Sequence, residues 1–387
     1  MSTQQPRSFF QSLESLRGIA ALVVVLNHVG WMNPLYEIGF IRNGALMVDL
    51  FFVLSGFVIV HCYGHRFIDQ GSLWAFLKAR FWRLYPLHLL MLFVFLGIEL
   101  IKYVAELKLG IVSGNPAFSK SNGESFFYQI FLLHSLIQDH GSFNSPSWSI
   151  STEFYTYISF AIVMAIVKTE RFLSFIFITI VVLSLFIILK TGHASLTFDD
   201  QYTIFRCSYG FFIGAFVHGI YQKLSVLDQL KNNPHIGSAT LLFIIILLAY
   251  VLGIKQDNFI EFFMPPLVGV LILLLTLFPE NIATKTFCWP PFLWLGKVSY
   301  SIYMVHMAFI WFFSALAQAV MRIPKTTIDN GDTIVSTSML EGTIMIFALV
   351  ICVLYTSHFT YKYIEDPFRK FAKRSYMYKR SIIQNSK

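Results

Sequence analysis

Long apolar stretches alternate with short polar ones along almost the whole chain. Ten have the length of a membrane-crossing helix, at about 17–33, 44–62, 82–103, 149–167, 172–190, 203–221, 238–254, 261–279, 298–320 and 341–363. The pattern predicts an all-α integral membrane protein with ten transmembrane helices. A further apolar run, Phe126 to Gln138, is too short to cross and reads as a re-entrant or interfacial segment. The multi-span unit takes up residues 1–365, and residues 366–387 form a basic cytoplasmic tail against the anionic inner leaflet. Pro367 is expected to stop the last helix. The polar start, Met1 to Ser15, carries no apolar core or cleavage site, so the first span is expected to be retained.

Charge orients this layout. With the N-terminus in the cytoplasm, twenty of the 29 Lys and Arg fall on inner segments and eight on outer ones, Arg206 alone lying within a span. Cytoplasmic loops carry the basic excess in membrane proteins, so both termini are placed inside. An eleventh span would put the basic tail outside. Composition agrees: 56% of residues are hydrophobic and 13% charged, which excludes a soluble domain. The net charge of +8 belongs to inner loops and lipid headgroups, and nucleic-acid binding is not indicated. The four cysteines are dispersed and form no CxxC pair, so neither a metal site nor a disulfide framework is indicated.

The candidate chemistry begins in the first span. Arg17 and His28 are separated by ten residues. Eleven helical steps return His28 to within roughly 20° of the face of Arg17, about 16 Å deeper. An arginine there is a snorkelling anchor on the bland reading, and a mid-bilayer histidine is a satisfied interior group. An ionisable group at that depth is also costly enough to point to function.

Other polar groups gather around the same axis. Asp49 enters the second span on the outer half, followed by the small pair Ser55-Gly56, which reads as a helix-packing site. Arg80 and Arg83 share a helical face at the cytoplasmic mouth of the third span. Guanidinium forks suit phosphate oxygens, although positive-inside anchoring would look the same. Trp148 and Glu153 stand at the outer entrance of the fourth span, where the carboxylate needs a partner; His28 and Arg206 are the candidates. In the ninth span Ser299, Tyr303 and His306 fall on one side, as a polar path or as hydrogen-bond glue.

Together these residues carry a resemblance. The chain resembles the acyltransferase 3 family, integral-membrane acyltransferases that modify extracytoplasmic sugars and related acceptors. The match runs from about residue 12 to 370. It comprises Leu16-Arg17-Gly18 with His28, Asp49 through Phe57, Arg80-x-x-Arg83, Trp148-Ser149-x-x-x-Glu153, Gly296 through His306 and the closing Glu365-Asp366-Pro367. Glu14 stands where many members have aspartate, which keeps the charge.

The resemblance implies an acyl-CoA donor, usually acetyl-CoA as co-substrate, no metal, and transfer to a hydroxyl of an extracytoplasmic carbohydrate or glycoconjugate. It implies a multi-pass protein of the bacterial inner membrane. It makes Arg17 and His28 the essential pair and gives the Arg80–Arg83 pair a functional role, here in holding the donor. On the residues themselves, His28 is the expected general base, with Asp49 or Glu153 orienting it, the choice left open. Trp148, Arg206 and His306 are the expected acceptor contacts. Direct transfer and a covalent acyl-enzyme both remain open. The competing class is a secondary transporter or polysaccharide exporter using the intramembrane His, Glu and Arg as a relay. Against it, the two halves carry no matching pair of broken hydrophobic segments.

Overall fold

The computed structural model describes residues 10–70, 73–110, 115–137, 141–167, 169–198, 200–226, 234–254, 258–327 and 333–372. Lys168, Lys231, Lys255, Gln138 and the tail after Ala372 lie outside the described residues, and the Arg66 and Arg171 side chains are likewise not described.

The described residues are mostly helical. The helices are α1 (Gln11–Asn27), α2 (Gly39–Arg42), α3 (Met47–Gln70), α4 (Leu73–Leu109), α5 (Gly123–Ile130), α6 (Trp148–Ile166) and α7 (Glu170–Lys190). They continue as α8 (Thr203–Leu224), α9 (Pro234–Gly253), α10 (Met264–Leu277), α11 (Ile282–Phe287), α12 (Pro290–Ala319) and α13 (Met339–Thr360). Seven helical stretches are long and apolar enough to cross a membrane, within Gly44–Gly64, Leu73–Leu109, Ser145–Ile166, Phe172–Lys190, Phe259–Leu277, Pro290–Ala319 and Met339–Ala372. The other three predicted spans are also helices. They are α1, with 17 residues; α9, with 20; and α8, whose 22 residues include Arg206, His218 and Lys223.

Glycines let the central helices touch backbone to backbone. A Cβ on Gly18 of α1 would overlap the Leu295–Gly296 backbone of α12, and one on Gly296 would overlap the Glu14 carbonyl. Gly56 of α3 and Gly214 of α8 do the same for that pair: their Cβ positions coincide with the carbonyl oxygens of Phe211 and Val53. Close small-residue packing is a main source of helix association where water cannot drive it. It clamps α1 against α12 and α3 against α8, and a polar cavity runs between α1, α12 and α3, walled further by α4 and α6.

Three elements differ from their sequence boundaries. The first helix ends at Asn27 because the chain then leaves to pair with a small sheet. Trp31 bridges Val335 of β2 (Thr333–Val335), which runs antiparallel to β1 (Lys325–Thr327). The fully buried Trp31 donates its indole N–H to Gly342 O at 3.2 Å. Helix α4 extends inward to Leu73, so Arg80 and Arg83 sit on regular helix. Pro367 does not stop the last helix. A π-helical turn, Tyr361–Glu365, restarts the register, and Pro367 falls in the first turn of the segment beyond, where a missing N–H costs nothing.

The run from Phe126 becomes the eight-residue α5, too short to cross. Asn122 caps it, accepting from Ser125 N at 3.0 Å. Buried polar contacts hold it on α4, including His88 Nε2 to Gln129 O at 2.9 Å.

Candidate active site

Helix α1 carries Arg17 into the cavity and ends with His28 as its C-cap. The His28 Nδ1 lies 2.9 Å from Val24 O. A carbonyl only accepts, so Nδ1 carries the proton and Nε2 presents its lone pair. His306 of α12 is built the same way, with Nδ1 2.6 Å from Tyr303 O. Its Nε2 is buried with no hydrogen-bond partner among the described residues. The two imidazoles lie side by side, ring centroids 5.0 Å apart.

This geometry corrects the expected role of the carboxylates. A backbone carbonyl, and neither Asp49 nor Glu153, fixes the His28 tautomer. Asp49 is fully buried and forms a bidentate pair with Arg206, at 3.0 Å to Nε and 2.7 Å to Nη2. The same guanidinium donates to the carbonyls of Ala45 and Phe198 and lies over the Trp148 ring, 5.3 Å from its centroid. Burying two charges is tolerable only with such full pairing. Arg206 is therefore committed to Asp49 and to holding Trp148.

Glu153 faces the basic cavity and not His28. It accepts from Tyr157 Oη at 2.5 Å. The tyrosine has one proton to give, so Ser55 Oγ–H, 2.8 Å away, is the donor to Tyr157. Ser55, Tyr157 and Glu153 form a hydrogen-bonded line along one wall. Neither Ser55 nor Tyr157 was singled out for chemistry in the sequence. The signal for Tyr157 was its position four residues after Glu153, one helical turn on.

The cavity has two parts. The outer chamber, with room for about 400 Å³, is lined by Arg17, Arg80, Arg83, Lys297 and Arg369, against Glu14 and Glu365. It narrows into an inner channel of about 60 Å³ that shares the three central arginines and continues past Ser55, Glu153 and Tyr157 to Phe51, Phe52 and Tyr303. Neither His28 nor His306 lines it. His306 lies behind Tyr303, ring centroids 5.8 Å apart.

The three arginines are not equivalent. Arg80 donates to Tyr63 Oη at 3.0 Å and lies over the rings of Tyr63 and Phe76. Arg17 and Arg83 are half-buried in the cavity wall and have no hydrogen-bond or ion-pair partner among the described residues. Each is close enough for its charge to act on the other. Two guanidinium forks that line one cavity with no hydrogen-bond or ion-pair partner among the described residues have the chemistry to receive an anionic ligand, phosphate above all.

A helical bundle with a basic cavity and two adjacent imidazoles behind its Tyr303 wall is the frame of a membrane-embedded group-transfer enzyme. Comparison with known proteins gives it a family. The family model described as an acyltransferase domain, acyltransferase 3, matches residues 10–358, and the chain belongs to that family. A putative O-acetyltransferase of Staphylococcus aureus (strain MRSA252) is 24% identical, over 97% of this chain and 60% of its own length. Protein 2 of the picA locus of Rhizobium radiobacter is 36% identical over 39% of this chain and 80% of its own length. The acyltransferase MdmB of Streptomyces mycarofaciens is 31% identical over 41% of this chain and 40% of its own. This chain thus spans about 60% of the staphylococcal relative's length. No solved structure matches.

Proposed function

We propose that this protein is an O-acyltransferase that takes an acyl group, acetyl in the first instance, from cytoplasmic acyl-CoA. It passes the group to a hydroxyl of an extracytoplasmic carbohydrate or glycoconjugate. The observation that carries the donor half is the unpartnered pair Arg17 and Arg83 in an enclosed basic cavity. Phosphates of CoA would satisfy both forks, and the channel beyond would receive the pantetheine arm. In this reading ten helices cross the inner membrane of a bacterium, with both termini cytoplasmic.

His28 is the proposed general base. Its Nε2 takes the proton as the acceptor oxygen attacks the thioester carbonyl. The C–S bond breaks and the CoA thiolate leaves, taking up the proton that His28 received, which restores the neutral base. The protonated nitrogen is fixed on Val24 O, so the base needs no carboxylate to orient it. Trp148, held by Arg206, offers a ring face to the acceptor sugar from the outer side.

Binding of radiolabelled acetyl-CoA to purified protein in detergent tests the donor site. Arg17→Gln and Arg83→Gln should each weaken it by about tenfold or more, the value of a charge-assisted bidentate contact. Arg80→Gln should cost less, since Arg80 is already bonded to Tyr63. Equal affinity in wild type and the Arg17/Arg83 double variant would contradict the assignment.

A further inference from the structure

The inner channel runs along one face of α3, from Ile59 at the arginines past Ser55 to Phe51 and Val48. Eleven helical steps give it a length of roughly 16 Å. Its polar groups come first, at Ser55, Tyr157 and Glu153, and aromatic rings line its far part. Phe51 meets Tyr303 edge-on, with centroids 6.0 Å apart. Phe52, fully buried, meets Trp148 edge-on at 6.2 Å.

These rings are not held alike. The Tyr303 hydroxyl lies 2.8 Å from both the Pro146 carbonyl and Ser149 Oγ, which fixes that side of the wall. Phe52 is wedged within the bundle. Phe51 is half-buried, has no polar atom to tether it and projects into the channel.

We infer that Phe51 is the specificity-determining residue for the length of the acyl chain: it forms the end wall of the channel and restricts the donor to short acyl groups. The inference rests on the donor reading above. With the phosphates on Arg17 and Arg83, the arm leads inward and the acyl carbons meet Phe51. Each further methylene must displace a ring that has Tyr303 fixed behind it, and overpacking of this kind is costly.

The test measures dissociation constants of CoA, acetyl-CoA and hexanoyl-CoA for the purified full chain, by calorimetry in detergent. Wild type should bind hexanoyl-CoA about tenfold or more weaker than acetyl-CoA. Phe51→Ala should bring the two within about threefold, and leave CoA itself within about twofold of wild type, because the phosphate site is at the other end. Phe51→Leu, which keeps most of the packing, should move the ratio the same way by a smaller factor; Phe51→Trp should oppose it. An acetyl-to-hexanoyl ratio unchanged across these variants, with CoA still bound, overturns the wall. Failure of wild type to bind CoA at all overturns the donor reading itself, and the wall with it.

Discussion

His28 and Arg17 lie on one helix, eleven residues apart, yet each meets its chemistry on a different side of a ring. Arg17 opens on the basic cavity, while His28 stands behind Tyr303 with His306. His28→Ala should lower acyl transfer by a factor of about 10² to 10⁴ while the protein still inserts and accumulates. Turnover assays on membranes containing equal amounts of protein check this, and near-normal turnover would contradict the assignment. Asp49 has a different failure mode. Asp49→Asn leaves Arg206 buried without its counter-charge, at a cost of about 3–5 kcal/mol. A large drop in melting temperature is expected, with activity lost only as folded protein is lost. A stable Asp49→Asn protein that had lost transfer would restore Asp49 to the chemistry. At this scale the sequence singles out candidate residues by depth and type, and not whom they touch. The Asp49–Arg206 pair joins residues 157 apart, which no spacing rule reaches. His28 caps its own helix: its ring folds back onto the Val24 carbonyl, which also takes its backbone N–H, a local contact that no carboxylate in the sequence would indicate.

The elements were legible wherever the apolar run itself sets the boundary. All ten predicted stretches are helices, and the Phe126 run is a short helix followed by turns. Boundaries set by tertiary pairing were not legible. Trp31 leaves α1 early to pair with Val335, more than 300 residues away, and the inward extension of α4 carries too many charges to read as span. Ser55-Gly56 shows how one dipeptide serves two purposes. Gly56 is the packing contact on α8, as its size indicated, while Ser55 faces the channel and bonds Tyr157. Gly56→Leu should force α3 and α8 apart, since its side chain would occupy the place of the Phe211 carbonyl. Overpacking costs typically about 1–3 kcal/mol, and backbone leaves less room to yield than side chains do. Sharply reduced accumulation and melting temperature should follow, with Ser55→Ala as the partner variant that keeps the fold. Normal stability of Gly56→Leu would contradict the close crossing.

For the molecule as a whole, the layout separates two solvents. The basic cavity opens at the end of the bundle that holds Lys297 and Arg369, the end the charge asymmetry assigns to the cytoplasm. Trp148, the Asp49–Arg206 pair and the β1–β2 sheet gather at the other end, with His28 and His306 between. Tyr303 stands between the channel and His306, and on the proposed reading the donor reaches that wall from the channel side and the acceptor from the other. The account therefore requires the two substrates to arrive from opposite faces of the bilayer. Reconstitution in sealed vesicles of known orientation, with an extract of candidate glycan acceptors on one side and labelled acetyl-CoA on the other, measures this directly. Labelled product should form only when acetyl-CoA is on the cytoplasmic face and should appear on the opposite face. Equal product with donor and acceptor both confined to the cytoplasmic face would contradict it.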